Sequence, residues 1–477
     1  MLRHAILPCL TAALILAAPP ARAEIPVGAD SRSALDLTLY GSGSSLVRDQ
    51  RRLVLGAVPE RFRFQDIART IDRTSVTLAA DGPMVVLDQA AELETLSPAT
   101  LLRRSVGDEV TLVTVNPATG EETRRPARVL SADGGGVFAT AAGIETGAAG
   151  RIVYAAVPPG LRARPSVSAG LAGAPGQTGE RRVDLTYMAG GLNWSADYVG
   201  NLNAAGDRLV LRGRATLGNT SGADFDDAGV TLVAGQVNQA APPPLARPKA
   251  LAMRAMAAPE AAADVPAAQA AGHVYVYRLP RPVDLAHGEI RQVPLIDPVE
   301  MPVALEWLLQ SGGNYHGRDP NEAILHPTVR LVLENGAGGD GGPGAPLPGG
   351  LLRVYRPGPA NTPLLAGSGH IPHLPVGETT RLDLGQSFDV TARRVQTDFE
   401  LTGSGRPRTF TSGHKVTLKN AKDMAVTVLV DESLPGDWTV LAESAPHQRL
   451  TANLVRWSVA VPAGGRAELT FKVRFTQ

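Results

Sequence analysis

The sequence predicts an all-β, multi-module protein, and three observations carry that expectation. Short runs alternating apolar and polar residues recur along most of the chain. Period two places successive side chains on opposite faces of a strand, whereas a helix needs a period near 3.6. The runs are punctuated by turn residues, with 51 Gly and 38 Pro among 477 positions. In the carboxy-terminal run Arg466 to Phe475, finally, Ala467, Leu469, Phe471, Val473 and Phe475 face one way. Arg466, Glu468, Thr470, Lys472 and Arg474 face the other, the pattern of a half-buried antiparallel strand.

The first element is an export signal, residues 1–23. Arg3 precedes the apolar stretch Ala5 to Ala18, which is too short to span a bilayer. Ala21-Arg22-Ala23 supplies the small-x-small pattern of a signal peptidase site, so cleavage after Ala23 and a periplasmic or secreted destination are expected. The single cysteine, Cys9, leaves with the signal. A mature chain without thiols has no disulfides, thiolate nucleophiles or cysteine-ligated zinc, and its stability rests on packed cores. Lys and Arg number 46, and so do Asp and Glu. That balance gives no field for steering toward nucleic acid, and no second apolar run reaches transmembrane length.

Residues 24–96 read as an N-terminal β-module, with strands at Leu35 to Tyr40, Arg51 to Leu55, Arg61 to Phe64, Val76 to Leu78 and Val85 to Leu87. Residues 97–150 form a small inserted helix-plus-β module. Ser97 caps a helix with Pro98 at its first position and Gly107 at its end, and Leu101, Leu102 and Val106 give it an apolar side. Strands follow at Val110 to Val115, Ala127 to Leu130 and Gly136 to Phe138.

A central β-domain spans 151–384. Its clearest run is Arg208 to Leu217, with Val230 to Ala234 as neighbour and Asp224-Phe225-Asp226-Asp227 between them as a solvated turn. Calcium binding there fails on the missing spacing and late glutamate. Residues 240–271 hold 15 Ala and 6 Pro, too little apolar area to offset the entropy of ordering, and read as a mobile excursion inside one domain. Strands resume at His273 to Tyr277, Val283 to Leu285, Thr328 to Leu333 and Leu351 to Tyr355. Asn335 to Gly350 reads as a long hairpin loop, and Val303 to Leu309 fits either a strand or a short helix.

Residues 385–477 are expected to fold alone as an immunoglobulin-like antiparallel β-sandwich. Its strands are Phe388 to Arg394, Lys415 to Lys419, Ala425 to Val430, Trp438 to Leu441, Arg456 to Val461 and Arg466 to Phe475, with Trp457 in the core.

No catalytic residue is singled out, and no metal or cofactor is expected. His370 and His373, three apart beside prolines, complete no zinc signature. Ser42, Ser44 and Ser45 follow a strand in a glycine-rich turn but lack the helix that a nucleophile elbow requires. The glycines of 335–350 lack the Gly-Lys-Ser/Thr of a phosphate loop. Aromatic side chains on a surface can stack on pyranose rings. Trp194, set among Asn193, Ser195, Asp197 and Tyr198, is expected to be partly exposed, and Trp194, Asp197 and Tyr198 form the candidate ligand or partner surface.

Seven stretches in order resemble a bacterial family of exported proteins, domain of unknown function 4139, related to the mucoidy-inhibitor-like proteins. They are Leu37 to Arg52 with its Tyr40-Gly41-Ser42-Gly43 opening, Phe64 to Val76, Trp194 to Tyr198, Leu211 to Ala234, Tyr275 to Pro294, Val376 to Phe399 and Lys415 to Ala463. The resemblance implies an all-β architecture and export, and implies no reaction. The mucoidy-inhibitor-like branch carries an added coiled-coil region, and this chain has no heptad run. The expected role is a non-catalytic envelope scaffold or binding protein for protein or glycan partners. The alternative is a hydrolase or metal-dependent enzyme acting on envelope polysaccharide or protein, with residues brought together only by the fold.

Overall fold

The computed structural model describes residues 24–147, 150–158, 160–239, 266, 268–338, 341–403 and 407–476. The expected signal, and all of the Ala/Pro segment up to residue 267 except Pro266, lie outside them. Strands dominate and are arranged in several discrete sheets. The chain divides into two units.

The first unit takes the chain up to Leu35, Leu46–Ala189 and Ser221–Asp224. One sheet orders Ile25–Val27, Glu60–Phe64, Ser166–Gly173 and Met84–Glu92. The inner strand Ser166–Gly173 is small-residue rich and buried along its whole length. Gly170 has no side chain to obstruct Arg61, whose Nη1 reaches both oxygens of Asp88 at 2.9 Å. A Cβ at Gly170 would stand 2.9 Å from Asp88 Oδ1. Gly179–Ala189 pairs with Thr77–Ala80 and lies beside Ser45–Leu55. Strands between 166 and 189 thus fall in one unit with the N-terminal strands, across the boundary expected at 151. Alternation fixes which face a strand buries and leaves its partner open.

Met84–Glu92 and Ser166–Gly173 are antiparallel neighbours, with Glu92 opposite Ser166. Between them the chain builds the inserted module. Ser97 Oγ accepts from the Thr100 amide at 3.1 Å, and Pro98 opens the helix Pro98–Arg104. The sheet orders Gly143–Thr146, Val137–Thr140, Glu122–Ser131, Glu109–Val115 and Arg151–Val153. Leu102, Val110, Leu112, Ala127, Val129 and Phe138 form its core, with Ile152 and Tyr154 packed against them. The module therefore continues past 150, and Val106 points to solvent instead of joining the core.

The second unit takes Asp36–Ser45, Gly190–Thr220 and Phe225–Gln477. Phe225–Ala234 pairs in parallel with residues 36–40 and antiparallel with Val274–Arg278. The strands flanking the Ala/Pro segment are thus direct partners, and the segment's last four residues form the strand Ala268–Ala271. The aspartates at 224–227 do not make a turn. Phe225 is buried opposite Leu285 and Ala228 opposite Val283, so Asp226 and Asp227 form a bulge, with Asp227 at φ 52°.

Leu192–Leu202 and Arg208–Asn219 form a long hairpin. The first part of Ile290–Ser311 pairs with Arg208–Asn219. Its second part pairs with Thr328–Glu334 and, in parallel, with Val426–Ser433, so Val303 to Leu309 is strand. Asn335 to Gly350 does not close a hairpin: Thr328–Glu334 pairs with Ile290–Ser311 and Thr379–Gln386, while Gly350–Pro357 pairs with Leu192–Leu202 and Pro363–Ile371. Tyr277 and Tyr198 hydroxyls hold that loop through the Pro346 and Pro348 carbonyls at 2.9 and 2.7 Å.

At the carboxy terminus, Ala323–Leu325, Val390–Thr402, Thr409–Asn420, Arg466–Thr476 and Asp437–Glu443 make one sheet. Val426–Ser433, Leu454–Val461 and His447–Arg449 belong to the other, beside Ile290–Ser311. Residues of both share one hydrophobic cluster, including Val416, Leu418, Val428, Val430, Trp457 and Phe471. That cluster also takes Trp307, Leu309 and Tyr315, so the core begins well before residue 385.

Candidate functional site

Alternation in two carboxy-terminal strands carries a charge of each sign inward. Arg394 follows Val390 and Ala392 in the buried phase of its strand, and Glu432 follows Val428 and Val430 in its own. The two strands lie in different sheets, and the charges meet between them, Arg394 Nε to Glu432 Oε1 at 3.1 Å. Isolated burial of either would be costly, which is why such groups occur paired. Tyr315 joins them, donating its hydroxyl to Glu432 Oε2 at 2.6 Å and accepting from Arg394 Nη2 at 3.3 Å. Burial pushes the Glu432 carboxyl up against the opposing pull of Arg394. Burial, reinforced by Glu432, also holds the Tyr315 phenol well above its ordinary value.

His414 lies edge-on to Tyr315, ring centroids 4.9 Å apart. Gln396 Nε2 donates to Ser412 Oγ at 3.1 Å, and Ser412 Oγ is 2.9 Å from His414 Nε2. Burial, helped by Arg394, lowers the imidazole to about 3. A serine within hydrogen-bond reach of a neutral histidine is the pairing of a nucleophile and its base. Here both residues are buried, and Nδ1 has no hydrogen-bond partner to orient it among the described residues. The loop after Ser311 closes over the pair. A Cβ at Gly313 would collide with the Arg394 guanidinium, and Gln396 accepts from the Asp319 amide at 2.8 Å while donating to Gly317 O at 3.1 Å. The cluster can tie two sheets together.

The first unit repeats the device. Asp49 and Arg51 occupy the buried phase of Ser45–Leu55. Arg51 Nη2 contacts Asp49 Oδ2 and Gln65 O, each at 2.6 Å, and Arg32 Nε meets Asp49 Oδ1 at 3.0 Å. A polar depression on the same unit is lined by Ser33, Gln50, Arg52, Asp81 and residues 180–182, without an apolar wall. Ligand pockets are usually mostly apolar.

The expected surface at Trp194 is corrected. Leu192, Trp194, Ala196 and Tyr198 share the buried phase of their strand, and Asn193, Ser195 and Asp197 take the other. Polar neighbours one residue away therefore marked the opposite face of the strand. Trp194 is 5% exposed and donates Nε1 to Val233 O at 3.1 Å. Tyr198 is fully buried, and burial raises its phenol far above the usual range. Asp197 is half-buried, accepting from Thr216 Oγ1 at 2.6 Å.

His370 and His373 are exposed, and His373 Nδ1 accepts from the Gly349 amide at 2.9 Å. Among the described residues no three His, Cys, Asp or Glu gather as a metal site. Ser45 is buried and donates to Leu192 O at 2.9 Å. Ser44 exchanges two 2.9 Å hydrogen bonds with the Gln239 side chain. Gly43, at φ 82°, leaves room for that amide, which a Cβ would strike. The serine turn thus serves the fold.

The buried quartet Arg394, Glu432, Tyr315 and His414 escaped the reading of motifs. For Arg394, His414 and Glu432 the signal was a charged or polar residue continuing the inward phase of an apolar strand, whereas Tyr315 lies in the loop after Ser311.

No curated protein matches the chain. The family model described as Domain of unknown function (DUF4139) matches residues 183–476, from within the strand Gly179–Ala189 through the last strand, and the chain belongs to that family.

Proposed function

We propose that this is an exported, non-catalytic envelope protein whose β-modules form a scaffold for protein or glycan partners. One observation carries the reading. Buried charges in each unit pair with one another, Arg394 with Glu432 and Arg51 with Asp49, at 3.1 and 2.6 Å. Groups arranged for catalysis need access to a reacting atom, whereas these are spent on holding strands. Export rests on Arg3, the apolar stretch Ala5 to Ala18 and Ala21-Arg22-Ala23. An immunoglobulin-like sandwich at the carboxy terminus is supported by the single core shared between two sheets. Partner recognition then falls to turns and sheet edges, where scaffold proteins usually carry it.

The test pairs two measurements on protein from the native host. Intact mass should place the first residue at Glu24, and a retained amino terminus overturns export. A panel of glycosidase, esterase and peptidase substrates should show no turnover that Ser412→Ala or His414→Ala removes. Turnover lost in both variants with the melting temperature unchanged establishes the hydrolase instead.

A further inference from the structure

Three turns meet at one end of the second unit, at residues 387–389, 421–425 and 462–465, and they are cross-tied. The Ala421 amide donates to Asp389 O at 2.8 Å, the Gly464 amide to Lys422 O at 2.8 Å and the Asn420 amide to Gly465 O at 2.9 Å. Asn420 is fully buried and donates Nδ2 to Met424 O at 2.8 Å and Pro462 O at 3.1 Å. Lys422 Nζ pairs with Asp389 Oδ2 at 3.2 Å. A knot with this many backbone ties fixes what the turns present.

It presents Phe388 at 90% exposure, with Met424 at 49%. The sequence placed Phe388 at the start of a strand, yet the strand begins at Val390, and the ring stands outside the core. A ring held so far into water gains little by burial on folding. On the strands leading from the same turns, Lys419 and Arg466 stand directly opposite one another, both exposed. Like charges facing across a strand pair destabilise it. Glu468, the next outward residue, is drawn to Lys415 at 3.5 Å. A shared anion would remove the repulsion between Lys419 and Arg466.

We propose that this end of the unit seats on an anionic lipid surface. Phe388 and Met424 enter the boundary between headgroups and acyl chains, and Lys419 and Arg466 take lipid phosphates. The charges agree: Lys422 is already matched by Asp389, which leaves Lys419 and Arg466 against Asp423. Such a contact is weak and reversible, and its basis is independent of any scaffold role. An acidic protein would match the two cations but would also need a shaped cavity for Phe388. A bilayer interface accepts a projecting ring without one.

Cosedimentation of the full mature chain with vesicles tests this. Binding is expected to phosphatidylglycerol–phosphatidylcholine vesicles over pure phosphatidylcholine at about 0.1 M salt, and it should weaken as salt rises. Phe388→Ser with Met424→Ser should lower affinity about tenfold or more. Lys419→Glu with Arg466→Glu should abolish the preference for anionic vesicles. Because all four side chains are exposed, melting temperatures should stay at the wild-type value, which separates lost contact from lost fold. Wild-type protein that ignores anionic vesicles, or folded variants that bind as wild type, overturn the proposal. So does displacement by free glycerol phosphate, which marks a soluble-phosphate site, or by polyglutamate, which marks an acidic protein partner.

Discussion

At the scale of single residues, His414 gives the clearest consequence of burial. In the unfolded chain its imidazole takes a proton near 6.5, and in the fold it resists until about 3. Between those values the unfolded state holds the extra proton. Stability present above about pH 6.5 is therefore lost as pH falls toward 3. The slope from this one group is at most about 1.4 kcal/mol per pH unit. His414→Asn should flatten the acid limb of a stability profile measured by urea unfolding, and an unchanged limb would contradict the assignment. Trp457 was legible in the sequence, because Val459 and Val461 share its phase, and it stacks on Phe471 at 4.6 Å. Trp194 has the same alternating surroundings, but the polar residues beside it obscured the phase. Arg394 and Glu432 were illegible for a related reason: a charge in an apolar phase looks like an error of pattern until its opposite appears on another strand.

Individual strands were the most legible elements, and their partners the least. Nearly every alternating run became a strand, since period two is a local property. Pairing is not local. The turns at 420–425 and 462–465 each carry the chain from one sheet to the other, Thr409–Asn420 to Val426–Ser433 and Leu454–Val461 to Arg466–Thr476. In a two-sheet core a strand can pack its apolar face against its chain neighbour without hydrogen bonding to it. The opposite holds across the Ala/Pro segment. Thr231 to Ala234 pairs residue by residue with Tyr275 to Arg278, although some forty positions separate them. Trypsin cleavage at Lys249 or Arg254 should therefore leave fragments that co-elute under native conditions. Separation without denaturant, with each fragment still melting cooperatively, would show that the pairing does not hold them.

For the whole molecule, contacts divide the chain into two units that interleave along the sequence. Residues 385–477 lack Trp307, Leu309 and Tyr315, three members of the core they would have to bury. They also lack the parallel neighbour of Val426–Ser433, the strand Ile290–Ser311. An isolated 385–477 fragment should accordingly show no cooperative melting transition, in place of the independent folding expected from its sequence. A sharp transition by calorimetry would restore the original boundary. All-β class and family membership needed only local patterns and motif order, whereas the units needed contacts spanning more than a hundred residues. The inserted module differs from the rest of the first unit in how it is joined. It leaves the host sheet at Glu92 and re-enters at Ser166, on neighbouring strands and in register, so its two attachment points lie about 5 Å apart. To the host, that whole excursion is equivalent to a hairpin turn. Lengthening, shortening or exchanging the cargo at this junction changes what the protein displays while the register of the sheet beneath stays the same.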